Sequence, residues 1–578
     1  MSQSRPDHLT WRHWVMAFLV LGAIAGVMWR LYDVQVVSHE HYLQEAAATR
    51  QGVVTVPAPR GAILDATGYP LATSVDTWDI YIDRFLWRDR ERASQAAMEL
   101  GAFLGEDPDE LMRSGTSEEQ GDVLVLRDIE YQRGLELQAM RLWGVRTLPS
   151  AVRLYPEGDL AAQVLGSVGI DNEGLWGIEA DFDHLLRGRE GWVTTERDAI
   201  GRPISFTQRT ERPAVGGGEV QLTVDRFIQA MVEQTLEDAL ERHQAVSGSI
   251  LVMDPHTGAV LAMASRQRVP GASDDDELAD RVRNRVISDL YEPGSVLKTL
   301  TTAAAIDSGT VGPGSTYEDK GTVSVGGYSI RNWDYSANGV VTVREILQKS
   351  LNTGTTWLAD EMGPSTFYQY LRDFGIGELT HIGLSGEAEG ALRTPSDPDW
   401  YPVDLATNSY GQGLAVSPLQ MLTAVNSFAN GGALMRPYVV SRIVNGDGAR
   451  VFEPVEVRQV VTPETAETMR QLMEDTIEAV EWSGARVPGY LVAGKTGTTL
   501  VSIPTGYDLD STIASFAGFL PAQDPQVSVL VKIDQPSGGL NLGGQVAAPV
   551  FAELAGDIMA YLGVPPTEST DGSRVAHP

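Results

Sequence analysis

The sequence predicts an α+β protein with an apolar N-terminal segment, then a mixed β-rich region, then a larger domain. Three observations carry that prediction. Residues 14–29, WVMAFLVLGAIAGVMW, hold no charge. Between about residues 33 and 212, short β-rich pieces alternate with amphipathic stretches. Beyond residue 220 strands come first, a long helical middle follows and strands return, which suggests one sheet with a helical subdomain beside it. The chain has 578 residues, too many for one hydrophobic core, so at least two domains are expected.

Residues 1–13 read as a short tail and 14–32 as a transmembrane anchor. At a rise of about 1.5 Å per residue the charge-free run nearly spans a hydrocarbon core, and Leu31 and Tyr32 extend it. Arg5 and Arg12 precede the run, which favours a cytoplasmic N-terminus. Ala23-Ile24-Ala25 has the form of a signal-peptidase site, but it lies inside the run, where cleavage would leave an apolar stub. In region 33–212, Gly52-Val53-Val54-Thr55-Val56 reads as a strand, and residues 93–104 and 130–142 have helical spacing. The stretch 213–219, with Pro213 and Gly216-Gly217-Gly218, is a linker. Domain 220–565 opens with a strand at 220–224, a helix at 227–242 and a hairpin, 248–253 with 259–264, turning at Asp254-Pro255-His256-Thr257-Gly258. Residues 293–473 are mainly helical; strands at 491–498, 512–519 and 527–533 and a helix at 549–562 close the domain. Residues 566–578 read as a disordered tail.

Composition excludes some chemistry. The net charge of −33, locally dense at Asp274-Asp275-Asp276-Glu277, leaves no basic footprint for nucleic acid. With no cysteine, disulfides, thiolate catalysis and Cys-based zinc sites are out. His39 and His41 form a close pair that reads as surface, so no metal or cofactor is expected. The lysines are Lys298, Lys320, Lys349, Lys495 and Lys532; arginine supplies the other positive charges. Lysine can give up a proton when burial or a neighbouring cation lowers its pKa, which arginine cannot. Three of these five fall in the segments that follow.

In Tyr291-Glu292-Pro293-Gly294-Ser295-Val296-Leu297-Lys298, Pro-Gly breaks the chain and Ser295 opens a helix. Lys298, at i+3, lies on the same face, where a neutral amine can take the hydroxyl proton. In Lys349-Ser350-Leu351-Asn352, a hydroxyl and an amide two apart can face one cleft. In Gly494-Lys495-Thr496-Gly497-Thr498, on a strand, Lys495 and Gly497 share a face, and Gly497 lets a ligand approach the backbone. Each segment alone is an ordinary cap, turn or strand; the ordered trio S-x-x-K, S-x-N, K-T-G-T is specific.

The trio matches the penicillin-recognising serine enzymes, and most of the chain resembles class B penicillin-binding proteins, particularly FtsI-type transpeptidases. Arg60-Gly61-Ala62-Ile63-Leu64-Asp65 with Gly68 and Leu71-Ala72 resembles the signature RGxIxDxxGxxLA of their pedestal (dimerisation) domain. Arg153-Leu154-Tyr155-Pro156, Leu165-Gly166 and Gly177-Ile178-Glu179 resemble later pedestal motifs. Tyr410-Gly411-Gln412-Gly413 with Pro418-Leu419-Gln420 resembles the GQG…TPLQ segment, with Ser417 where Thr is usual. Thr380-His381-Ile382-Gly383 departs from the usual T-G-I-D/G.

That resemblance implies an elongated pedestal over 33–212, then an antiparallel sheet flanked by helices with an all-helical subdomain over 220–565. It implies catalysis by Ser295, Lys298, Ser350 and Lys495. Ser295 would be acylated by the penultimate D-Ala of a peptidoglycan stem peptide, with Lys298 as general base. Ser350 would relay the proton to the leaving D-Ala, held electrostatically by Lys298 and Lys495. Asn352, Thr496, Gly497 and Thr498 would bind substrate, Lys495 would help hold its carboxylate, and the backbone N–H groups of Ser295 and Thr498 would form the oxyanion hole. β-Lactams would acylate Ser295. A membrane glycan polymerase of the FtsW type and other division proteins are implied partners, with Arg30, Asp33 and Gln35 as candidate contacts, and the catalytic domain would be extracytoplasmic. Glu292 in YEPGS and a chain end without further modules favour division over elongation. A β-lactamase would need a glutamate-held water, and no E-x-x-x-N-type segment between Asn352 and Lys495 offers one. A scaffold with a vestigial site is the other alternative, against which the intact trio argues.

Overall fold

The computed structural model describes residues 11–42, 51–117, 119, 121–196, 210–268, 271, 273–479, 484–504, 506–537, 539 and 541–567. Most of both expected tails (1–10 and 568–578) lies outside them. The chain is mixed α and β, in two compact units that interleave along the sequence. The smaller holds residues up to 59, 75–152 and 188–216; the larger holds 60–74, 153–187 and 217 onward.

In the smaller unit, helix α1 (Trp11–Tyr32) runs into a π-helical turn, Asp33–Val37. Among the described residues it is the one helix long and apolar enough to cross a membrane, and none of its residues is buried. Arg30 pairs with Asp33 at 2.7 Å and donates to the Tyr42 hydroxyl at 3.1 Å, so its charge is met locally. Elsewhere in this unit, helix Arg90–Leu104 has Asp89 as N-cap and a left-handed Gly105 as C-cap. Its apolar face (Ala93, Ala97, Leu100) meets Ile80, Ile82 and Trp87. Strand Gln51–Val56 pairs with Gly191–Glu196, which pairs with Thr210–Arg212.

The larger unit is built on a five-stranded antiparallel sheet. Helix α2 (Arg226–His243), capped by Asp225, precedes strands β1 (Ser247–Met253) and β2 (Val260–Gln267). A 3₁₀ turn (Gly294–Leu297) leads into helix α3 (Lys298–Asp307). The hairpin β3 (Thr322–Val325) with β4 (Tyr328–Arg331) follows, then helices α4 (Val343–Gln348), α5 (Asn352–Asp373) and α6 (Pro418–Ala429). Strands β5 (Ala493–Ile503), β6 (Gly506–Leu520) and β7 (Val527–Asp534) return to the sheet before helix α7 (Ala547–Tyr561). The order is β2-β1-β7-β6-β5, so β5 is an outer strand.

The strands are apolar on both faces because both are covered. Ile250 and Val252 of β1, Phe516 of β6 and Val529 and Val531 of β7 pack with Leu236 of α2 and Phe551 of α7. The alternate residues Leu251, Met253, Phe519 and Leu530 pack with Leu300 of α3 and Leu422 of α6. The middle, expected to be mainly helical, also carries two-stranded ribbons. Thr316–Asp319 pairs with Gly339–Thr342, β3 with β4, and Ala433–Met435 with Glu456–Gln459. Their strands are only three or four residues long, below the length at which alternation stands out.

Segments 60–74 and 153–187 carry the motifs that resemble a pedestal, and they form one buried ion-pair network. Arg60 Nε stands 2.6 Å from Glu179, and Arg153 Nε 2.6 Å from the other oxygen of that carboxylate. Arg60 also reaches Asp183 at 2.7 Å and donates to the Asn172 and Glu179 carbonyls. The strand expected at 220–224 is Glu219–Leu222, and it joins Ile63–Leu64 and Val440–Asn445 rather than the five-stranded sheet.

Candidate active site

Ser295 lies in the 3₁₀ turn and Lys298 begins α3 one turn on, so the serine opens a helix as its sequence implies. The turn is held from two sides. Gly294 N–H donates to the Gly411 carbonyl at 3.0 Å, and Tyr291 exchanges two 2.9 Å backbone bonds with Val416, which anchors it to the segment around Gln412. From β5, the Thr499 hydroxyl donates to the Glu292 carbonyl at 3.2 Å. A side chain at Gly497 would run into Ser515 Oγ of β6 and stand 2.8 Å from the Pro293 carbonyl and 3.0 Å from Val296. That face of Gly497 therefore meets the turn that carries Ser295, and its missing side chain lets strand and turn pack closely.

Lys298 is fully buried. Its Nζ donates to the Ser350 carbonyl at 2.6 Å and to Asn352 Oδ1 at 2.7 Å, and stands 3.2 Å from Ser350 Oγ. Burial, followed by the positive charge of Lys495, drives its pKa well below the usual lysine value. A neutral amine has two N–H groups, matching the two short contacts, and one lone pair left for a hydroxyl proton. Lys495 is also buried, on the face of β5 shared with Gly497, and burial brings its pKa down to about 8. Thr496 and Thr498 lie on the opposite face of β5 and are partly exposed; Thr498 Oγ1 accepts the Gly543 N–H at 2.9 Å.

The S-x-N segment links α4 to α5. Ser350 has a left-handed backbone (φ +56°), a conformation costly for a residue with a Cβ. The Asn352 amide donates to the Arg331 carbonyl at 2.9 Å, which leaves Oδ1 facing Lys298. The structure thus brings Lys298, Ser350 and Asn352 into one hydrogen-bonded group. Lys349 stays out of it: its side chain is 45 % exposed, with Glu345 at 3.9 Å. Of the three lysines in the motifs, Lys298 and Lys495 are buried with lowered pKa values, and Lys349 is exposed.

Sequence reading passed over several groups at this site. Lys532, outside every motif, is buried beside Asp534 at 2.5 Å with its Nζ 5.4 Å from the centre of the Tyr291 ring. The Glu292 carboxylate, read only as a family mark, accepts the Gly413 N–H at 3.0 Å and the Tyr507 hydroxyl at 3.0 Å. The partner of Tyr507 lies 215 residues away, beyond the reach of any local pattern.

The penicillin-binding protein transpeptidase domain matches residues 248–556, and the penicillin-binding protein dimerisation domain matches 55–222. Stage V sporulation protein D of Bacillus subtilis is 31 % identical over 575 residues, covering 98 % of this chain and 88 % of that protein. The peptidoglycan D,D-transpeptidase FtsI of Escherichia coli K12 is 29 % identical over 585 residues, covering 99 % and 95 %. The crystal structure of penicillin-binding protein 3 from Mycobacterium tuberculosis with aztreonam superposes with a TM-score of 0.68 at 27 % identity, covering 90 % of this chain and all of that one. The chain belongs to the class B penicillin-binding proteins.

Proposed function

We propose that this chain is a serine-type peptidoglycan D,D-transpeptidase that cross-links stem peptides through an acyl-enzyme on Ser295, in septal wall synthesis. The observation that carries the reading is the buried Lys298 amine. It is held between Ser350 and Asn352, and burial and Lys495 depress its pKa, which suits a base beside a nucleophilic hydroxyl. The relatives named D,D-transpeptidase support it.

In this reading, Ser295 Oγ attacks the carbonyl of the penultimate D-Ala as Lys298 takes its proton. The tetrahedral oxyanion lies between the Ser295 and Thr498 N–H groups. Its collapse breaks the peptide bond, and Ser350 passes the proton from Lys298 to the departing D-Ala amine. An amine of a second stem peptide then attacks the ester, gives up its proton through the same groups and frees Ser295. Asn352 binds the donor amide. β5, as an outer strand, offers its edge to the peptide, and Lys495 on one face with Thr496 and Thr498 on the other hold the terminal carboxylate between them. Gly497 keeps that strand against the turn.

The apolar α1 fits a single-pass membrane anchor. With Arg5 and Arg12 ahead of it, the N-terminus is cytoplasmic and the catalytic unit extracytoplasmic. A membrane glycan polymerase of the FtsW type is the proposed partner, and residues 33–212 act as pedestal. The chain, incubated with benzylpenicillin, is weighed intact beside Ser295→Ala. One penicilloyl adduct mapped to the Ser295 peptide, lasting hours and absent from the variant, is the expected result. An adduct lost within minutes would mean a hydrolase, and no adduct would overturn the reading.

A further inference from the structure

The S-x-N segment does not hold itself. Ser350 occupies a left-handed conformation, and the Asn352 amide must point its oxygen, not its nitrogen, at Lys298. Both demands are met by three consecutive residues at the end of β4. The Arg331 carbonyl takes the Asn352 Nδ2–H group at 2.9 Å. Asn332 Oδ1 accepts the Thr353 N–H at 3.3 Å and lies 3.0 Å from the Thr353 hydroxyl. The Trp333 indole donates to the Lys349 carbonyl at 3.3 Å. The chain from 331 to 333 thus grips the segment before, within and after the Ser350–Asn352 turn.

What fixes this grip is Asp319, at the end of strand Thr316–Asp319 and 1 % exposed. Five donors converge on its carboxylate. They are Gly321 N–H at 2.9 Å, Asn332 Nδ2 at 2.9 Å, Asn338 N–H at 3.0 Å, Asn338 Nδ2 at 2.8 Å and the Thr353 hydroxyl at 2.8 Å. Burial opposes the ionised form, and the donors overcome it, so the carboxyl stays below its usual pKa. Asn332 (2 % exposed) and Thr353 (fully buried) share the pocket, so the hub is shielded from solvent and its geometry has few alternatives.

We propose that Asp319 is a positioning residue for the acylation site, acting through Asn332 and Thr353 to hold the Ser350–Asn352 turn against Lys298. It touches no reacting atom. The inference rests on the transpeptidase reading above and adds to it a residue that no motif contains. An asparagine at 319 has the same shape but one acceptor oxygen, and it would set an NH₂ group against the donors of Asn332 and Asn338.

The test uses the full chain in detergent, with a fluorescent penicillin as probe, separating the limiting acylation rate from the half-saturating concentration. Asp319→Asn and Asn332→Ala should each lower the limiting rate by about 30-fold or more while half-saturation stays within about threefold, because a slight misplacement of reacting groups costs on the order of 10² in rate. Thr353→Ser, which keeps the hydroxyl, should label like the parent, and Thr353→Val should not. That contrast decides the matter if Asp319→Asn does not fold. A lowered melting temperature with an unchanged limiting rate in these variants would overturn the proposal and leave the transpeptidase reading intact. If the parent chain took no label, or Ser295→Ala took it equally, the transpeptidase reading would fail and this proposal with it.

Discussion

The Tyr507 hydroxyl donates to the Glu292 carboxylate at 3.0 Å and so ties the start of β6 to the turn that carries Ser295. The same carboxylate accepts the Gly413 N–H, which joins the loop around Gln412 to that turn. Burial raises the Glu292 pKa and outweighs both donors. The ionised form is therefore the costly one, and the group favours the folded state more as the pH falls through its raised pKa.

Glu292→Gln keeps an acceptor oxygen for both donors and removes the buried charge. It should leave the melting temperature at pH 7 unchanged or slightly higher, with penicillin acylation within a few-fold of the parent. Glu292→Ala leaves the Gly413 N–H and the Tyr507 hydroxyl without this acceptor. Its acylation rate should fall by about tenfold, and stability by about 1–3 kcal/mol. Stopped-flow acylation and thermal unfolding measure the two effects.

The trio S-x-x-K, S-x-N, K-T-G-T was legible because three short segments occur in a fixed order, and the sheet because its strands are long apolar runs. What supports the trio was not. Asp319 is one acid among 77 acidic residues, and its side-chain partners lie 13, 19 and 34 positions away. Gly497 stands out in its motif, but the groups that its missing side chain accommodates, Ser515 Oγ, the Pro293 carbonyl and Val296, all lie outside that motif. The lysines divide by burial, which sequence does not state: Lys349 is half-exposed, whereas Lys532, in no motif, is buried.

The two buried lysines of the site make a prediction with a sign. Lys495 is a positive neighbour that helps hold Lys298 neutral. Lys495→Met removes that charge, so the Lys298 pKa should rise, and the acid limb of the acylation rate should move to higher pH. In the parent chain, Lys495 itself loses its proton as the pH rises through about 8. Half-saturation by a carboxylate-bearing penicillin should therefore weaken above that pH, while the limiting rate does not fall. A pH series of acylation constants for both proteins separates the two lysines. An acid limb that stays in place in Lys495→Met would show that the charge of Lys495 does not reach Lys298.

The Arg60–Glu179–Arg153 group is buried on all sides, and Glu179 is its only carboxylate within 3 Å of both guanidinium Nε atoms among the described residues. Glu179→Ala leaves Arg153 without a carboxylate and Arg60 with Asp183 alone. Breaking a buried pair from one side costs about 3–5 kcal/mol, far more than losing an exposed one. Thermal unfolding in detergent should show that loss in the transition of the larger unit, with Glu179→Gln intermediate.

Tyr291, four residues before Ser295, is 4 % exposed, and its hydroxyl is buried with no hydrogen-bond partner among the described residues. Burial and the charge of Asp534 push its pKa up, so it stays protonated and uncharged. What the ring does supply is an aromatic face for Lys532, whose ammonium is neutralised by Asp534 at 2.5 Å. Tyr291→Phe keeps the face and removes the unsatisfied hydroxyl. It should be neutral or stabilising by up to about 1 kcal/mol, with acylation unchanged. Lys532→Met should behave oppositely, because it leaves the partly buried Asp534 without its cation, and about 1–3 kcal/mol of stability should go. Adding Asp534→Asn to Lys532→Met should restore much of that loss, since no unpaired charge then remains. A Tyr291→Phe variant that lost stability would mean the hydroxyl has a partner after all, and chemical unfolding of the four proteins measures every arm.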